Sequence, residues 1–348
     1  MPQSSPMKMK QQAGAEPATR TLDFAAGPPA ERPTEPSAER PTEPPAERPP
    51  EPPADRPSEP PAHRPLQLTA AEREAVVVAR TDVPRTRSTL AADLRKLGVR
   101  AGDVLLVHTS LASLGWVAGR ELAVIHALLD AVEDAGTIVV PTQTGSNSDP
   151  SEWQAPAVPA EWWNTIREQM PGFDPARSPS DGMGWLPETL RGWPGAVRST
   201  HPQTSFAALG HHAAALMARH DLDSRFGDRS PLAALATVGA RVLLLGVGYD
   251  ACTTFHLGEA RSPGAPSERL SCAVLEPDGG RRWVSYVDRV ADERDFAALG
   301  RDWEATGLVT VGAVGSAPAR LFDLAPAAHF ATTWIPANRP DWPPATNG

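Results

Sequence analysis

Short apolar runs alternate with amphipathic stretches along the chain after about residue 66, and this alternation predicts an α/β fold. Residues 103–109, 136–141 and 241–248 each hold a continuous apolar run, which predicts three buried strands. Apolar positions at helical spacing over 121–133 predict a helix between the first two strands. Buried strands that are joined by helices are typical of parallel α/β sheets.

Two further segments complete the predicted architecture. A stretch capped by Ser88 and stopped by Gly98 predicts a helix. Its apolar stripe is formed by Leu90, Leu94 and Leu97. Residues 271–277 and 281–288 flank a Pro-Asp-Gly-Gly turn and predict an antiparallel hairpin. We therefore expect one α/β domain over residues 66–340, with a mainly parallel central sheet flanked by helices plus the hairpin.

The first 65 residues differ in composition from the rest of the chain. Of the 39 prolines, 15 fall between Pro28 and Pro65, and from Ala30 the sequence repeats as AERPTEPS, AERPTEPP, AERPPEPP and ADRPSEPP. Proline at this density excludes helices and central strands, and no repeat carries an apolar face on which to stack. We expect residues 1–65 to be a disordered Pro/Glu/Arg-rich tail that acts as a spacer. A docking role for its proline motifs is the alternative.

Charge and cysteine content restrict the class of function. The chain has 33 Lys and Arg against 42 Asp and Glu, and residues 66–348 carry 25 basic and 32 acidic side chains, a net charge of −7. This balance argues against a nucleic-acid partner and suits a cationic one. The chain has only 2 cysteines, no apolar run that could span a membrane and no secretory signal. These features predict a cytoplasmic protein without membrane association.

The segment HTSLASLG (108–115) directly follows the first predicted strand. Hydroxyls and backbone N–H groups at the carboxyl end of a strand, ahead of a helix, can hold phosphate oxygens. The segment lacks the glycine spacings of dinucleotide and nucleotide loops, and a turn that caps the next helix uses the same residue types. The pattern therefore leaves an anion site and a capping turn as alternatives.

Two later segments combine charged residues with turn-forming ones. In RSTHPQTSF (198–206), Arg198 and Ser199 can hold an anionic group and His201 can titrate near neutral pH. The alternative for this histidine is a structural role, bonded to backbone. In RFGDRSP (225–231), the turn residues present Asp228, for which a solvated charged loop is the alternative.

A fourth segment, TTFHLGEA (253–260), follows the third predicted strand. If one of its threonines caps a helix, His256 and Glu259 lie on one helical face at spacing i, i+3. A carboxylate beside an imidazole orients the ring and raises its basicity, as a general base requires. A surface His–Glu pair has the same spacing and is the alternative. Histidines, cysteines and carboxylates do not fall at metal-ligand spacing, so we expect no metal.

Together these segments resemble the aminoglycoside 3-N-acetyltransferase family. The matching stretches, in the family's order, are LLVHTSLASLGWVAG (105–119), AGTIVVPTQT (135–144), FDPARSPSDGMGWLPETLRGWPGAVRSTHPQTSFAALG (173–210), FGDRSPLAAL (226–235) and VLLLGVGYDACTTFHLGEA (242–260). The resemblance leaves out the proline-rich tail, the segment up to about Arg80 and the tryptophan-rich stretch 151–163.

The resemblance implies the α/β fold of antibiotic N-acetyltransferases, distinct from the GNAT fold. It also implies transfer of an acetyl group from acetyl-CoA to the 3-amino group of the 2-deoxystreptamine ring of an aminoglycoside antibiotic. The family's base motif falls on His256 with Glu259 as its acidic partner, and His201 is a reserve candidate. The coenzyme positions implied by the resemblance are Thr109, Ser110, Leu111, Ser113, Leu114, Gly115, Thr142, Arg198 and Ser199.

An aminoglycoside amine is protonated in water, so it must lose a proton before it can attack a thioester. We expect direct transfer in a ternary complex, because no covalent nucleophile is evident. Backbone N–H groups of the first loop are candidate donors to the oxyanion. A polycationic substrate also needs acidic residues in its cleft. The candidates nearest to the motifs are Asp174, Asp181, Asp228, Asp250 and Glu259.

Two alternatives remain at this point. An acetyl-CoA-dependent enzyme with the same base can acetylate a different amine, such as a biosynthetic intermediate. A non-enzymatic scaffold would instead use the proline-rich tail as its ligand arm.

Overall fold

A seven-stranded sheet forms the centre of the protein, with helices on both faces, in a computed structural model that describes residues 68–342. The strands of this part of the chain are β1 Val104–Thr109, β2 Thr137–Pro141, β3 Val197–Arg198, β4 Phe206–Gly210, β5 Arg241–Leu245, β6 Ser267–Leu275, β7 Arg281–Arg289, β8 Thr310–Val314 and β9 Ala317–Asp323. Its α-helices are α1 Ala70–Ala79, α2 Arg87–Leu97, α3 Arg120–Val132, α4 Trp163–Gln169, α5 Trp185–Arg191, α6 Ala213–Met217, α7 Pro231–Thr237, α8 Thr254–Arg261, α9 Phe296–Ala305 and α10 Leu324–Asn338.

The strand order in the sheet is β3-β4-β2-β1-β5-β9-β8. The three strands predicted from their apolar runs are the parallel centre, where β1 pairs with β2 on one side and with β5 on the other. The strands farther out pair antiparallel to their neighbours. The predicted α/β class is confirmed, and the carboxyl ends of β1, β2 and β5 meet at one edge of the sheet.

Side chains of the central strands alternate between two apolar layers. In β1, Leu105 and Val107 enter a core layer with α2, α3 and α5, whereas Leu106 faces the layer formed with α6 to α10. All three of these side chains are fully buried. Burial on both faces explains why the strand reads as a continuous apolar run rather than as an alternating pattern.

The N-terminus of α2 is capped by Thr86, so the prediction that Ser88 is the cap is wrong. The Thr86 hydroxyl accepts a hydrogen bond from the Thr89 N–H, and the Thr89 hydroxyl accepts one from the Thr86 N–H. This reciprocal pair satisfies two N–H groups that the helix cannot bond internally. The predicted stop is confirmed, because Gly98 takes a left-handed conformation with φ of 110°.

The antiparallel hairpin is confirmed as β6–β7, which begins at Ser267, earlier than predicted. Two buried amides attach it to the rest of the domain. The side chain of Asn147 bonds both the N–H and the C=O of Ala273, each at 2.9 Å. Gln203 donates to the Asn147 carbonyl at 3.0 Å and accepts from the Tyr286 hydroxyl.

Helix α8 packs closely on α10 at Gly258. A Cβ at this position would lie 2.4 Å from the carbonyl oxygen of Ala328 and 2.5 Å from the Cβ of Ala331. Glycine therefore allows the two helices to come within backbone contact.

The tail predicted for residues 1–65 lies outside the described residues. Within residues 68–342, no helix combines the length and apolar character needed to cross a membrane.

Candidate active site

A cleft of about 370 Å³ opens where the carboxyl ends of β1, β2 and β5 meet. Open α/β sheets place their ligands at this edge. The polar side chains of the cleft wall, apart from the thiol of Cys252, are those of His108, Thr109, Gln143, Asp250, Thr253, His256 and Glu293.

His256 projects from the first turn of α8 and is buried except for the side that lines the cleft. Its Nδ1 lies 2.8 Å from Oε2 of Glu259, whose side chain is 1% exposed. No protein group within residues 68–342 is hydrogen-bonded to Nε2. A proton on Nδ1, shared with the carboxylate, leaves the Nε2 lone pair available to accept a proton.

Glu259 is held by donors from two other parts of the chain. Its Oε2 also accepts the backbone N–H of Asp292 at 3.1 Å, and its Oε1 accepts from the guanidinium of Arg339. These charge-assisted bonds complement a carboxylate and fix its plane. The structure therefore brings together the predicted base and its predicted partner.

His108 also lines the cleft, although its local sequence does not mark it as a candidate. It is the penultimate residue of β1, is 6% exposed, and its Nε2 lies 3.3 Å from the hydroxyl of Thr253. Burial and the neighbouring His256 lower the pKa of His108 to about 4, so that its imidazole is neutral at neutral pH. The only signal in the sequence was its position at the end of a buried strand.

The predicted coenzyme loop follows β1 as a 3₁₀ turn, Leu111–Leu114, beside the cleft. The Ser113 hydroxyl donates to Ser110 Oγ at 3.0 Å and to the Gly246 carbonyl at 3.2 Å, while Leu114 is buried in the core and Gly115 ends the turn. Of the predicted loop residues, Thr109 lines the cleft, and its buried hydroxyl has no partner in residues 68–342. Its hydrogen-bonding capacity is therefore not satisfied by the described residues.

Arg198 joins the end of β2 to the loop before α5. Its Nε lies 3.2 Å from the Thr142 hydroxyl and 3.0 Å from the Ser205 hydroxyl. Its terminal nitrogens donate to the carbonyls of Thr142, Pro175 and Ser178. Burial lowers the pKa of this guanidinium to about 10, and its face lies 4.9 Å from the Phe173 ring. Most of its donors are thus used within the protein.

Three other predicted residues lie in the same interior region and do not line the cleft. Thr142 and Ser199 are fully buried, and the Ser199 hydroxyl bonds His220 at 3.0 Å. His201, the reserve base, stacks near His220, with Nε2 at 3.1 Å from the Leu222 carbonyl and Nδ1 accepting from two backbone N–H groups. Burial holds the pKa of His201 well below its ordinary value.

The predicted acidic residues separate into two groups. Asp250 lines the cleft and forms no ion pair within residues 68–342. Glu293, whose local sequence does not mark it as a candidate, also lines the cleft and likewise forms no ion pair there. Asp174 pairs with Arg177 at 3.1 Å, and Asp228 pairs with Arg261 at 2.7 Å. Asp181 accepts hydrogen bonds from Ser146. The unpaired carboxylates of the cleft wall are therefore Asp250 and Glu293.

Cys252 lies in the cleft wall but is buried, and burial raises the pKa of its thiol to about 12. The reactive thiolate is therefore disfavoured at neutral pH. Within residues 68–342, no three His, Cys, Asp or Glu side chains converge as metal ligands do.

The carboxylate-backed histidine and the unpaired carboxylates thus share one concave site at the carboxyl ends of the parallel strands, which is where α/β enzymes bind their ligands. A family model for aminoglycoside 3-N-acetyltransferases matches residues 106–336. The chain belongs to the aminoglycoside 3-N-acetyltransferase family, and is thereby an acyltransferase by class.

Three relatives illustrate this membership. The chain is 42% identical over 260 residues to the aminoglycoside N(3')-acetyltransferase-like protein YokD of Bacillus subtilis. This alignment covers 74% of the chain and 95% of YokD. The crystal structure of YokD has a TM-score of 0.74 and covers 76% of this chain and 98% of its own. Aminoglycoside N(3)-acetyltransferase IX of Micromonospora chalcea is 39% identical, covering 73% of this chain and 94% of that protein. A solved binary complex of AAC-IIIb with CoASH has a TM-score of 0.66 at 34% identity, covering 73% of this chain and 97% of that one.

Proposed function

We propose that this protein transfers the acetyl group of acetyl-CoA to the 3-amino group of the 2-deoxystreptamine ring of aminoglycosides, with His256 as the general base. The observation that carries the proposal is the 2.8 Å contact between His256 Nδ1 and Glu259, in an imidazole that lines the cleft. The names of the relatives, aminoglycoside N(3)-acetyltransferases, support the choice of substrate class.

In the proposed reaction, the substrate ammonium first loses one proton to solvent, and the free amine then bonds to the thioester carbonyl carbon while Nε2 of His256 takes a second proton from its nitrogen. The carbonyl electrons move onto oxygen and return as the carbon–sulfur bond breaks. The departing thiolate takes the proton from His256, which leaves the amide, CoASH and a neutral imidazole. Glu259 stabilises the imidazolium that exists between the two proton transfers, and a base so placed contributes roughly 10²–10⁴-fold to rate.

Groups around His256 suit the charges that this reaction develops. Asp250 and Glu293 place two unpaired carboxylates in the cleft wall, where they can hold ammonium groups of the substrate. The Thr109 hydroxyl and backbone N–H groups of the 110–115 loop are the proposed donors to the thioester oxyanion. The buried thiol of Cys252 favours direct transfer over an acyl-enzyme.

The proposed coenzyme site comprises the 109–115 loop and the Thr142, Arg198 and Ser199 cluster behind it. The complex of the related AAC-IIIb with CoASH supports acetyl-CoA as the acyl donor. Because Ser199 and Thr142 are fully buried, we propose that this cluster acts by shaping the loop before α5. Acetyl-CoA is a cytoplasmic metabolite, so we place the reaction in the cytoplasm.

Acetylation of gentamicin, tobramycin, apramycin and neomycin, followed by free-thiol release, tests the proposal, and product mapping identifies the acetylated amine. His256→Ala is expected to lower kcat by about 10²–10⁴-fold while acetyl-CoA binding is retained. His211→Ala, which removes an exposed histidine, is the matched control. Full activity of His256→Ala would move the base elsewhere, with His201 as the reserve. Turnover of simple amines but no deoxystreptamine compound would favour a biosynthetic acetyltransferase.

We also propose that the catalytic unit is confined to residues 66–340 and that residues 1–65 act as a spacer. A chain that lacks residues 1–65 should retain its kcat/KM for acetyl transfer. Loss of acetyl transfer on deletion would instead give the proline-rich tail a direct part in the function.

A further inference from the structure

Arg339 reaches the candidate active site from the segment that follows α10. It lies beyond residue 336, where the family model ends, and its side chain is 2% exposed. A fully buried guanidinium is costly unless carboxylates and hydrogen bonds compensate it, so its partners indicate its role.

The Arg339 guanidinium bonds two carboxylates at once. Nη1 donates to Oε1 of Glu259, the oxygen that does not contact His256. On its other side, Nε and Nη2 donate to the two oxygens of Asp295 at 2.8 and 2.6 Å, and Nη2 also donates to the Asp292 carbonyl at 2.6 Å. Trp342 covers the guanidinium with its ring 5.5 Å away. The rigid fork of arginine therefore fixes Glu259 against a second anchored carboxylate.

We infer that Arg339 is a positioning residue for the reaction, which holds the Glu259 carboxylate against His256 and balances its charge as His256 gains and loses a proton. This inference rests on the proposed role of His256 as the base. Arg339 does not line the cleft, so it acts through Glu259 and not on the substrate.

Charge counting explains why an arginine suits this place. With His256 neutral, the connected group of His256, Glu259, Arg339 and the partly exposed Asp295 has a net charge of about −1, and with His256 protonated it is neutral. Without Arg339, two carboxylates would be left without their cation, and the His256–Glu259 pair would bind an additional proton more tightly. A pair that stays protonated cannot accept the substrate's proton.

The substitution of Arg339 removes no other ionisable group near the His256–Glu259 pair. Those groups are His108, Asp250 and Glu293 on the cleft side, Arg225, Asp288 and Arg289 on the opposite side, and Asp292 and Asp295 beside Arg339. A change in the titration of the pair can therefore be assigned to Arg339.

The test compares Arg339→Gln, which removes the charge but keeps a donor, with Arg339→Lys, which keeps the charge but cannot bridge two carboxylates. Arg294→Gln is the matched control, because Arg294 is 53% exposed and its pairs, with Asp341 at 2.7 Å and with the Asp292 carboxylate at 3.1 Å, include neither His256 nor Glu259. For each full-length variant, kcat and KM for gentamicin and acetyl-CoA are measured over a pH series. In parallel, the imidazole of His256 is titrated by NMR without substrate.

In Arg339→Gln we expect kcat to fall roughly 10- to 100-fold with little change in either KM, because base function is impaired and binding is not. The acidic limb of kcat/KM and the NMR titration of His256 should both move about one unit to higher pH. In Arg339→Lys the acidic limb should stay near that of the wild type, with a smaller loss of kcat. Arg294→Gln should match the wild type.

An Arg339→Gln variant that loses stability but keeps the wild-type pH limb and NMR titration would overturn the inference, since a merely structural arginine predicts that result. If Arg339→Gln does not fold, Arg339→Lys decides, and a wild-type kcat in that variant contradicts the role. If the wild-type protein acetylates no aminoglycoside, that result would contradict the proposed function instead. The NMR titration would still decide whether Arg339 controls the pair.

Discussion

The imidazole of His256 lies almost parallel to the ring of Phe226, with centroids 4.6 Å apart and planes inclined by 17°. The ring of Phe296 covers another side of the same imidazole, at 4.7 Å. Aromatic packing therefore restricts the rotation of the His256 side chain, and the hydrogen bond to Glu259 fixes which ring nitrogen faces the carboxylate. The orientation of the base is built into the core of the domain.

Replacing Phe226 by Leu should separate this orienting effect from stability. We expect a stability loss of about 1–2 kcal/mol, as for other large-to-small changes in a core, together with a fall in kcat of about 3- to 10-fold. Urea unfolding and steady-state kinetics measure the two effects. Phe322→Leu is the control, because Phe322 is also a buried core residue and packs on Tyr249 and Trp303 rather than on His256. Equal kcat losses in both variants would contradict an orienting role for Phe226.

The unpaired carboxylates of the cleft give a salt-dependent prediction. Asp250→Asn and Glu293→Gln should each raise KM for a polycationic aminoglycoside about 3- to 10-fold at low salt, because each removes one attraction to an ammonium group. The difference from the wild type should shrink at high salt, where such attractions are screened. Asp228→Asn is the control, since that carboxylate pairs with Arg261 and does not line the cleft. A KM that is independent of both carboxylates would remove them from the substrate site.

Buried histidines predict acid sensitivity of the fold. Burial lowers the pKa of His220 from 6.5 to about 4, so the native state stays unprotonated at this site while the unfolded chain takes up a proton below about pH 6.5. The free energy of unfolding should therefore fall as pH falls from 6.5 to 4, by up to about 1.4 kcal/mol per unit for each such histidine.

Urea unfolding at a series of pH values checks this prediction with His220→Gln, which should flatten the dependence by about one proton. His211→Gln changes an exposed histidine and should leave the slope as it is. An unchanged slope in His220→Gln would show that the acid sensitivity arises elsewhere.

Arg198 is predicted to act as a clamp between β2 and the loop before α5. Arg198→Gln leaves carbonyl and hydroxyl groups without donors and should cost roughly 2–4 kcal/mol of stability by denaturant unfolding. Arg177→Gln alters a nearby surface pair with Asp174, where Arg177 is 87% exposed, and should have no measurable effect. Calorimetry with acetyl-CoA then decides whether Arg198 also serves the coenzyme. An unchanged Kd would leave it as a clamp alone.

The features that sequence could predict are those set by local spacing. His256 and Glu259 are three residues apart, so the formation of α8 alone places them on one face, and the structure has them 2.8 Å apart. The apolar runs of β1, β2 and β5 likewise carry their own signal, because burial on both faces demands it.

What sequence could not predict depends on contacts between distant segments. His108, Glu293 and Arg339 reach the site from β1, from the loop before α9 and from beyond α10, and their local patterns resemble those of ordinary structural or surface residues. Arg198 shows the opposite case, in which a local pattern suggests a ligand site that distant contacts do not support. Its sequence context suits an anion site, but the neighbouring carbonyls that occupy its donors come from residues about 20 and 56 positions away.

The backbone contact at Gly258 has a consequence for how this domain can diverge. Gly258 lies between His256 and Glu259 in α8, and its missing Cβ is what lets the helix rest on Ala328 and Ala331 of α10. The surface of α10 therefore determines where α8, and with it the His256–Glu259 pair, lies in the domain. A chimaera that takes its C-terminal helix from one relative and α8 from another must match these two surfaces, even though the exchanged helix lines no part of the cleft.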